Sequence, residues 1–519
     1  MVFRRIIREI KNHRIRKYFK GLITTPYVAA LCFLIATLAT AGHYGFFGDE
    51  LYYIACSKHL AFGYVDHPPL VAFLTLITTT IFGETIIGLR FLSGLFGAAT
   101  VLLSAKVAEE IGGGKYSQAL AALSICFGLA FSALSSFFSM NPVDIMLCTL
   151  YILVFLKTIR KPSPGKWITL GILMGIGLLN KYTFLVLGFS LLMSLIITKK
   201  WSIFKSPWIY ICGLIGLLMF LPHILWQINN GWPTLEFMQN ATEYKNLSLS
   251  PFAFLSQIII GLNPFTFPIW LSGLGFLLFS KKITEYRFLG WTALIFILIY
   301  MFQNSKFYYV VPIFPFLLSS GAVAVERFLN RFSIRFLKWT IVTVLVISGT
   351  LLMPLAIPIL PVDQFVKYSK TLGLQSELRM EKEESISLPL HFAYRFGWKE
   401  LVDTVANVYN NLPQNEKDKC AILASWYGIA GAIDHYGPQH NLPNVICPRN
   451  NYWLWGTHNY SGEIVLAVGY NKHTLKKYFY NVESITLFEH PYAYDVNICL
   501  CKEPKVKFAQ IWQELKVFI

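Results

Sequence analysis

Between residues 24 and 360 the chain passes repeatedly through apolar stretches, most of them about as long as a hydrocarbon layer is thick when coiled as a helix. Eleven such runs fall at about 24–43, 86–107, 118–138, 143–160, 167–180, 182–198, 208–226, 253–279, 288–303, 308–325 and 338–360. Water cannot satisfy backbone N–H and C=O groups inside a bilayer, so each run is expected to be helical. Only 14% of the residues are charged, against about 25% in soluble domains. The sequence therefore predicts an α-helical polytopic membrane protein. The runs near 167–180 and 182–198 are either joined by a very tight turn or short and partly re-entrant.

Lys and Arg are distributed by side. The head "MVFRRIIREIKNHRIRKYFK" carries eight of them, and "KTIRKPSPGK", "KKWSIFK", "KKITEYR" and "ERFLNRFSIRFLK" fall on the same side when eleven spans are counted. The opposite loops hold mainly Lys58, Lys181, Lys245 and Lys306. The positive-inside rule then puts residues 1–23 in the cytoplasm as a basic N-terminus, followed by a membrane domain over 24–360. The basic head ahead of a long apolar run reads as a start-transfer anchor rather than a cleaved signal. The net charge of +17 reflects this bias and suits anionic lipid. A nucleic-acid partner is not expected, since no folded basic reader stands out.

After residue 360 the texture turns polar and mixed. "CAILAS" (420–425), "GEIVLAVGY" (462–470) and "DVNICLCK" (495–502) read as strands, and Trp398–Leu412 has helical periodicity. Residues 361–519 are therefore expected to form an extracytoplasmic α/β domain. Disulfides among Cys420, Cys447, Cys499 and Cys501 are permitted there, and free buried thiols fit equally well.

The first outer loop, about 44–85, opens with "YGFFGDELYYIACSKHLAFGYVDHPPL". Its apolar positions Leu51, Ile54, Ala55 and Phe62 have the spacing of a helix lying in the membrane interface. Asp49 and Asp66 suit helix caps, and Glu50 suits a first turn. The same loop also places Asp49, Glu50, Asp66 and His67 at the water–hydrocarbon boundary. Carboxylates there can take a proton from an acceptor hydroxyl, provided cations stabilise a departing phosphate. Lys181 in "GLLNKYTF" and Lys306 in "NSKFYYVVPIFPFLL", with Tyr309 beside it, are among the few cations on this side. Asp144, His223 and Trp226 also stand at outer span ends, as possible contacts for an acceptor or a sugar; a snorkelling Lys, a cap or an aromatic belt accounts for each of them as well. In "IDHYGP", Asp434 and His435 are adjacent, so on a helix their side chains diverge and a structural role is expected. The outer domain is accordingly expected to act on the acceptor rather than to supply the base.

"GDELYY" with "DHPPL", then "GLLNKYT", "PHILWQINNGWPTLEF" and "NSKFYYVVPIFPFLL", resemble the integral-membrane glycosyltransferases of the protein mannosyltransferase type. That group includes bacterial family 39 enzymes and the aminoarabinose transferases that modify lipid A. "FGWKELVDTVANVYNNLP", "ASWYGIAGAIDHYGP" and "NYWLWG" resemble the tail of its bacterial branch. The resemblance implies a GT-C type fold in a bacterial inner membrane. It further implies a sugar donor on a polyprenyl phosphate and a lipid, glycan or protein acceptor outside the cytoplasm. Carried over by motif, Asp49 is the acidic residue of the first loop, with Glu50 beside it as the second catalytic candidate. Lys181, Lys306 and Tyr309 fall where the lipid phosphate is gripped. Some relatives bind a divalent metal and others do not, and Glu50, Asp66, His67 and His223 are scattered. Two further readings stand beside transfer: a transporter or flippase of lipid-linked sugar, and an assembly protein that presents the carrier. A transporter more often shows paired repeats with broken helices at mid-membrane, whereas here the ionisable residues gather at one boundary.

Overall fold

The computed structural model describes residues 25–373 and 388–519. The basic head expected in the cytoplasm lies outside the described residues. Among the described residues six helices are long and apolar enough to cross a membrane, namely Ile86–Glu110, Met140–Arg160, Pro207–Asn229, Lys281–Phe302, Phe307–Arg331 and Phe336–Leu355. Two bent pairs pass the same test: Lys115–Cys126 with Leu129–Ser135, bent by 58°, and Pro251–Gly261 with Pro264–Phe279, bent by 99°. Every expected apolar run coincides with a helix or a bent pair. Pro164–Asn180 and Thr183–Ile197 are separated only by Lys181 and Tyr182, a tight turn.

Local chemistry sets these boundaries. Thr85 and Ser139 accept hydrogen bonds from Gly88 N (3.1 Å) and Asn141 N (3.2 Å) at the starts of Ile86–Glu110 and Met140–Arg160, satisfying amides that the helix leaves unpaired. Pro occupies the first turn of Pro164–Asn180, Pro207–Asn229 and Pro251–Gly261, where its missing N–H costs nothing.

The segments around residues 110–114, 160 and 326–327 contact one another. Arg160 pairs with Glu110 (3.3 Å), Gly114 N donates to Glu326 (2.7 Å) and Arg327 donates to the Ile111 carbonyl (3.3 Å). Asp49, Lys181 and Lys306 lie together around one cavity.

One helix of the first outer loop departs from expectation. Gly48–Lys58 does not lie in an interface with one face in lipid, since Glu50 through Ser57 are all buried. The C-terminal domain covers it. A second, apolar helix, Leu70–Phe82, follows within the same loop, with Pro69 and not Asp66 at its cap position.

The C-terminal domain is built on five strands: β1 Cys420–Ala424, β2 Val445–Ile446, β3 Ile464–Val468, β4 Phe479–Phe488 and β5 Val496–Pro504, in the order β2-β1-β3-β5-β4. β1 pairs in parallel with β2 and β3, whereas β5 runs antiparallel to β3 and β4. β1 and β3 are buried at every position, which explains their unbroken apolar sequences. Ile422, Ala424 and Leu466 share a core with helices Trp398–Asn410 and Tyr427–Tyr436, and the same core includes Leu51, Tyr52 and Ile54 of the first outer loop. The other sheet face packs on Phe508, Ile511 and Trp512. Among the described residues all nine cysteines are free thiols.

Close backbone approach fixes the domain on the loop. A Cβ at Gly431 would lie 2.9 Å from the Leu51 carbonyl carbon, and one at Gly45 would collide with the Arg395 carbonyl oxygen. Gly48 N donates to the Tyr394 carbonyl (3.1 Å) and Trp398 Nε1 donates to the Phe46 carbonyl (3.0 Å). The loop and the outer domain therefore share one packed core.

Candidate functional site

A cavity of about 890 Å³ lies where the loop over residues 44–85, the helix ends and the C-terminal domain meet. Asp49, Asp66, Lys181, Lys245, Lys306 and Tyr309 line it, together with Tyr394 and Tyr427 of the outer domain. These positions are scattered through the sequence and share one wall-to-wall space.

Asp49 is the second residue of helix Gly48–Lys58. Phe47 holds the cap position, so Asp49 is not the N-cap that its sequence context allowed. Its Oδ1 accepts a hydrogen bond from Tyr427 Oη (3.1 Å). Burial raises the Asp49 carboxyl to about 6, against the opposing pull of Lys245, the Tyr427 hydrogen bond and Lys306. Asp66 follows on irregular backbone and accepts from Tyr52 Oη (2.9 Å).

The cationic wall forms where helices end. Lys181 caps Pro164–Asn180 in an extended conformation, and Nζ donates to Asn141 Oδ1 (2.7 Å) while lying 4.6 Å from the Tyr309 ring centre and 5.7 Å from that of Tyr308. Lys306 Nζ lies 6.0 Å from the same Tyr308 ring. Two cations thus flank one pair of tyrosines, whose rings meet edge-on at 4.8 Å. Cation–π contact holds the ammonium groups without neutralising them. Lys245 ends the short turn Ala241–Lys245 and is the cation that acts most strongly on Asp49.

Several sequence candidates do other work. Glu50 is fully buried and does not line the cavity. Its two oxygens accept from Arg90 Nε (3.0 Å), Arg90 Nη2 (2.8 Å), Phe47 N (2.8 Å) and Phe138 N (2.7 Å). With its acceptor sites occupied it anchors the loop to Ile86–Glu110. Neighbouring helical residues point about 100° apart, so Asp49 faces the cavity and Glu50 faces the core. His67 is also fully buried. Its Nδ1 donates to the Pro68 carbonyl (2.9 Å), its ring stacks on Tyr64 (4.7 Å), and burial lowers its pKa, keeping it neutral.

His223 Nδ1 donates to the Phe62 carbonyl (3.0 Å) and Nε2 accepts from Tyr182 Oη (2.7 Å). Trp226 packs over Gly63. The pair pins the first outer loop to Pro207–Asn229 instead of facing the cavity. Asp144 is buried behind the wall, next to Cys148 (3.8 Å) and within the field of Lys181. His435 pairs with Glu84 (2.9 Å) and Asp434 accepts from Tyr452 Oη (2.6 Å), so the two do diverge.

Among the described residues no three His, Cys, Asp or Glu side chains are gathered to hold a metal ion.

Sequence reasoning missed Lys245 as a site residue, and it missed Tyr427. Lys245 carried the same signal as Lys181 and Lys306, a cation on a side otherwise emptied of them.

Residues 66–226 match the family model described as dolichyl-phosphate-mannose-protein mannosyltransferase. The lipid A galacturonosyltransferase RgtD of Rhizobium johnstonii is 25% identical over 209 residues, which is 40% of this chain and 43% of that protein. The chain thus spans less than half the length of the curated relatives it matches. The crystal structure of ArnT from Cupriavidus metallidurans in the apo state superimposes with a TM-score of 0.60 at 14% identity, covering 93% of this chain and 98% of that one. The same protein bound to undecaprenyl phosphate gives 0.59 at 14% identity, covering 92% and 98%. Residues 66–226 are thus similar to the mannosyltransferase family model, and the chain shares its fold over nearly its whole length with the ArnT structures.

Proposed function

We propose that the protein transfers a sugar from a polyprenyl phosphate to an acceptor outside the cytoplasm. The observation that carries this reading is one cavity lined both by the carboxylates Asp49 and Asp66 and by lysines that flank a tyrosine pair. Asp49 takes the proton from an acceptor hydroxyl as its oxygen bonds to the anomeric carbon. The bond from that carbon to the phosphate oxygen breaks, and its electrons leave with the polyprenyl phosphate. Lys181 and Lys306 stabilise the charge that grows there, so the leaving group needs no strong acid. Asp66 borders the same space and helps to hold the acceptor.

The names of the relatives support the donor and acceptor classes: ArnT has been crystallised with undecaprenyl phosphate, and RgtD acts on lipid A. A hexuronate is the sugar to test first, with Lys245 suited to its carboxylate. In this reading residues 24–360 cross a bacterial inner membrane eleven times, the basic loops face the cytoplasm and the outer domain lies beyond it. A C-terminal reporter active only in the cytoplasm would contradict that orientation.

The test is label transfer by the purified full-length protein, offered polyprenyl-phosphate hexuronate or hexose with a lipid A acceptor. Transfer that falls about 10²–10⁴-fold in Asp49→Asn, with donor binding retained, is the expected result. Near-normal turnover in that variant would move the base to Asp66. Movement of intact donor across vesicles without transfer would favour the flippase.

A further inference from the structure

The outer domain reaches both carboxylates of the cavity through a stack of tyrosines. Tyr427 opens the helix that follows β1, at the carboxyl end of the strand where the sheet order turns from β2 to β3. Open α/β sheets place their working residues at such ends. The Tyr427 ring lies 4.8 Å from that of Tyr52, which in turn stacks 6.1 Å from Tyr452. Each hydroxyl donates to a different aspartate: Tyr427 to Asp49 (3.1 Å), Tyr52 to Asp66 (2.9 Å) and Tyr452 to Asp434 (2.6 Å). Asn451 locks the middle of the stack. Its backbone N donates to Tyr52 Oη (3.3 Å), and its Oδ1 accepts from Val65 N (2.6 Å), one residue before Asp66.

We propose that Tyr427, with Tyr52 held by Asn451, positions Asp49 and Asp66, so that the outer domain completes the reactive site instead of serving the acceptor alone. The inference rests on the reading that Asp49 meets substrate. A phenol donating to one carboxylate oxygen fixes the plane of the group and leaves the other oxygen to the cavity. The Gly431–Leu51 contact makes the arrangement rigid, because the helices carrying Tyr427 and Asp49 touch at the backbone. Asp434 of "IDHYGP" then has a use, as the anchor at the far end of the stack.

The charged and titratable groups acting on Asp49 are Lys245, Asp66, Lys306, Tyr427 and Tyr53. Tyr427→Phe removes one of these influences and keeps the ring. In full-length protein in nanodiscs, the infrared carboxyl band of Asp49, identified by its loss in Asp49→Asn, is titrated. Its midpoint is expected to rise by about one pH unit, the size of one lost charge-assisted hydrogen bond. Replacing Tyr427 with 3,5-difluorotyrosine, a stronger donor of similar size, is expected to lower it. The acidic limb of the transfer rate should follow both shifts, and in Tyr52→Phe kcat should fall at unchanged donor KM. A midpoint unmoved by either change at position 427 overturns the proposal. The infrared result stands even where wild-type protein transfers no sugar, so failure of the proposed function is told apart from failure of this inference.

Discussion

Glu50 and Arg90 are 0% and 1% exposed and face each other at 2.8 Å. The substitution Glu50→Gln nearly preserves volume and replaces one oxygen by NH₂. Each Glu50 oxygen now accepts two hydrogen bonds, so either amide orientation turns an NH₂ toward one N–H of Arg90 and one backbone N–H. The guanidinium also loses its counter-ion in a site with little water. Removing one partner of such a buried pair costs about 3–5 kcal/mol. Unfolding of the purified variant by denaturant, followed by tryptophan fluorescence, should report a loss of that size. Arg90→Met should cost a similar amount, and the double variant Glu50→Leu with Arg90→Met less than the sum, because no lone charge is then buried. Protein that remains folded should still bind donor. A Glu50→Gln protein within about 1 kcal/mol of wild type whose turnover nevertheless falls a hundredfold would refute the anchoring role and return Glu50 to catalysis.

Turnover should rise with pH through about 6 and level off above it, because only ionised Asp49 accepts a proton; a flat profile between pH 5 and 7 counts against this base. The sign for stability is opposite: the folded pKa lies above the unfolded one, so the contribution of Asp49 is largest below about 4 and is lost as pH rises through 6. Lys181→Met and Lys306→Met should each weaken polyprenyl phosphate binding by about 10- to 100-fold, as expected for a charged hydrogen bond worth about 1.5–3 kcal/mol, and unchanged affinity in both would reduce them to interface anchors. His435→Ala should cost about 1 kcal/mol and leave donor turnover in place. Complete loss of turnover in folded His435→Ala protein is the contrary result; the Glu84 carboxyl, held at about 2 by His435 and Lys58, stabilises the fold above about 4.5 and loses that effect as pH falls toward 2. Gly431→Val should drive the outer domain off Leu51 at a cost of about 1–3 kcal/mol, seen as faster proteolysis at the loop; resistance equal to wild type would argue against the shared core.

Helix positions and the strands β1, β3 and β5 were legible because they follow from local quantities. A run that spans hydrocarbon must coil to pair its own backbone, whatever its neighbours are. The unbroken apolar stretches of β1 and β3 likewise report burial on both faces. The grouping of Asp49 with Lys181 and Lys306 was legible through sidedness, since cations are rare on that side of the chain. Only tertiary structure separated Asp49 from Glu50. Adjacent on one helix, they face a cavity and a buried arginine, and no pattern in "GDELYY" says which. Only tertiary structure turned His67, His223 and Trp226 into supports, because their partners at Tyr64, Tyr182 and Gly63 are set by how the loop folds back. The strands β2 and β4 depend on their packing in the same way. Tyr427 was hidden most deeply, 378 residues from the carboxylate it touches. Length and hydropathy fix where a helix can cross a membrane, but a hydrogen bond between distant side chains exists only once two surfaces have docked.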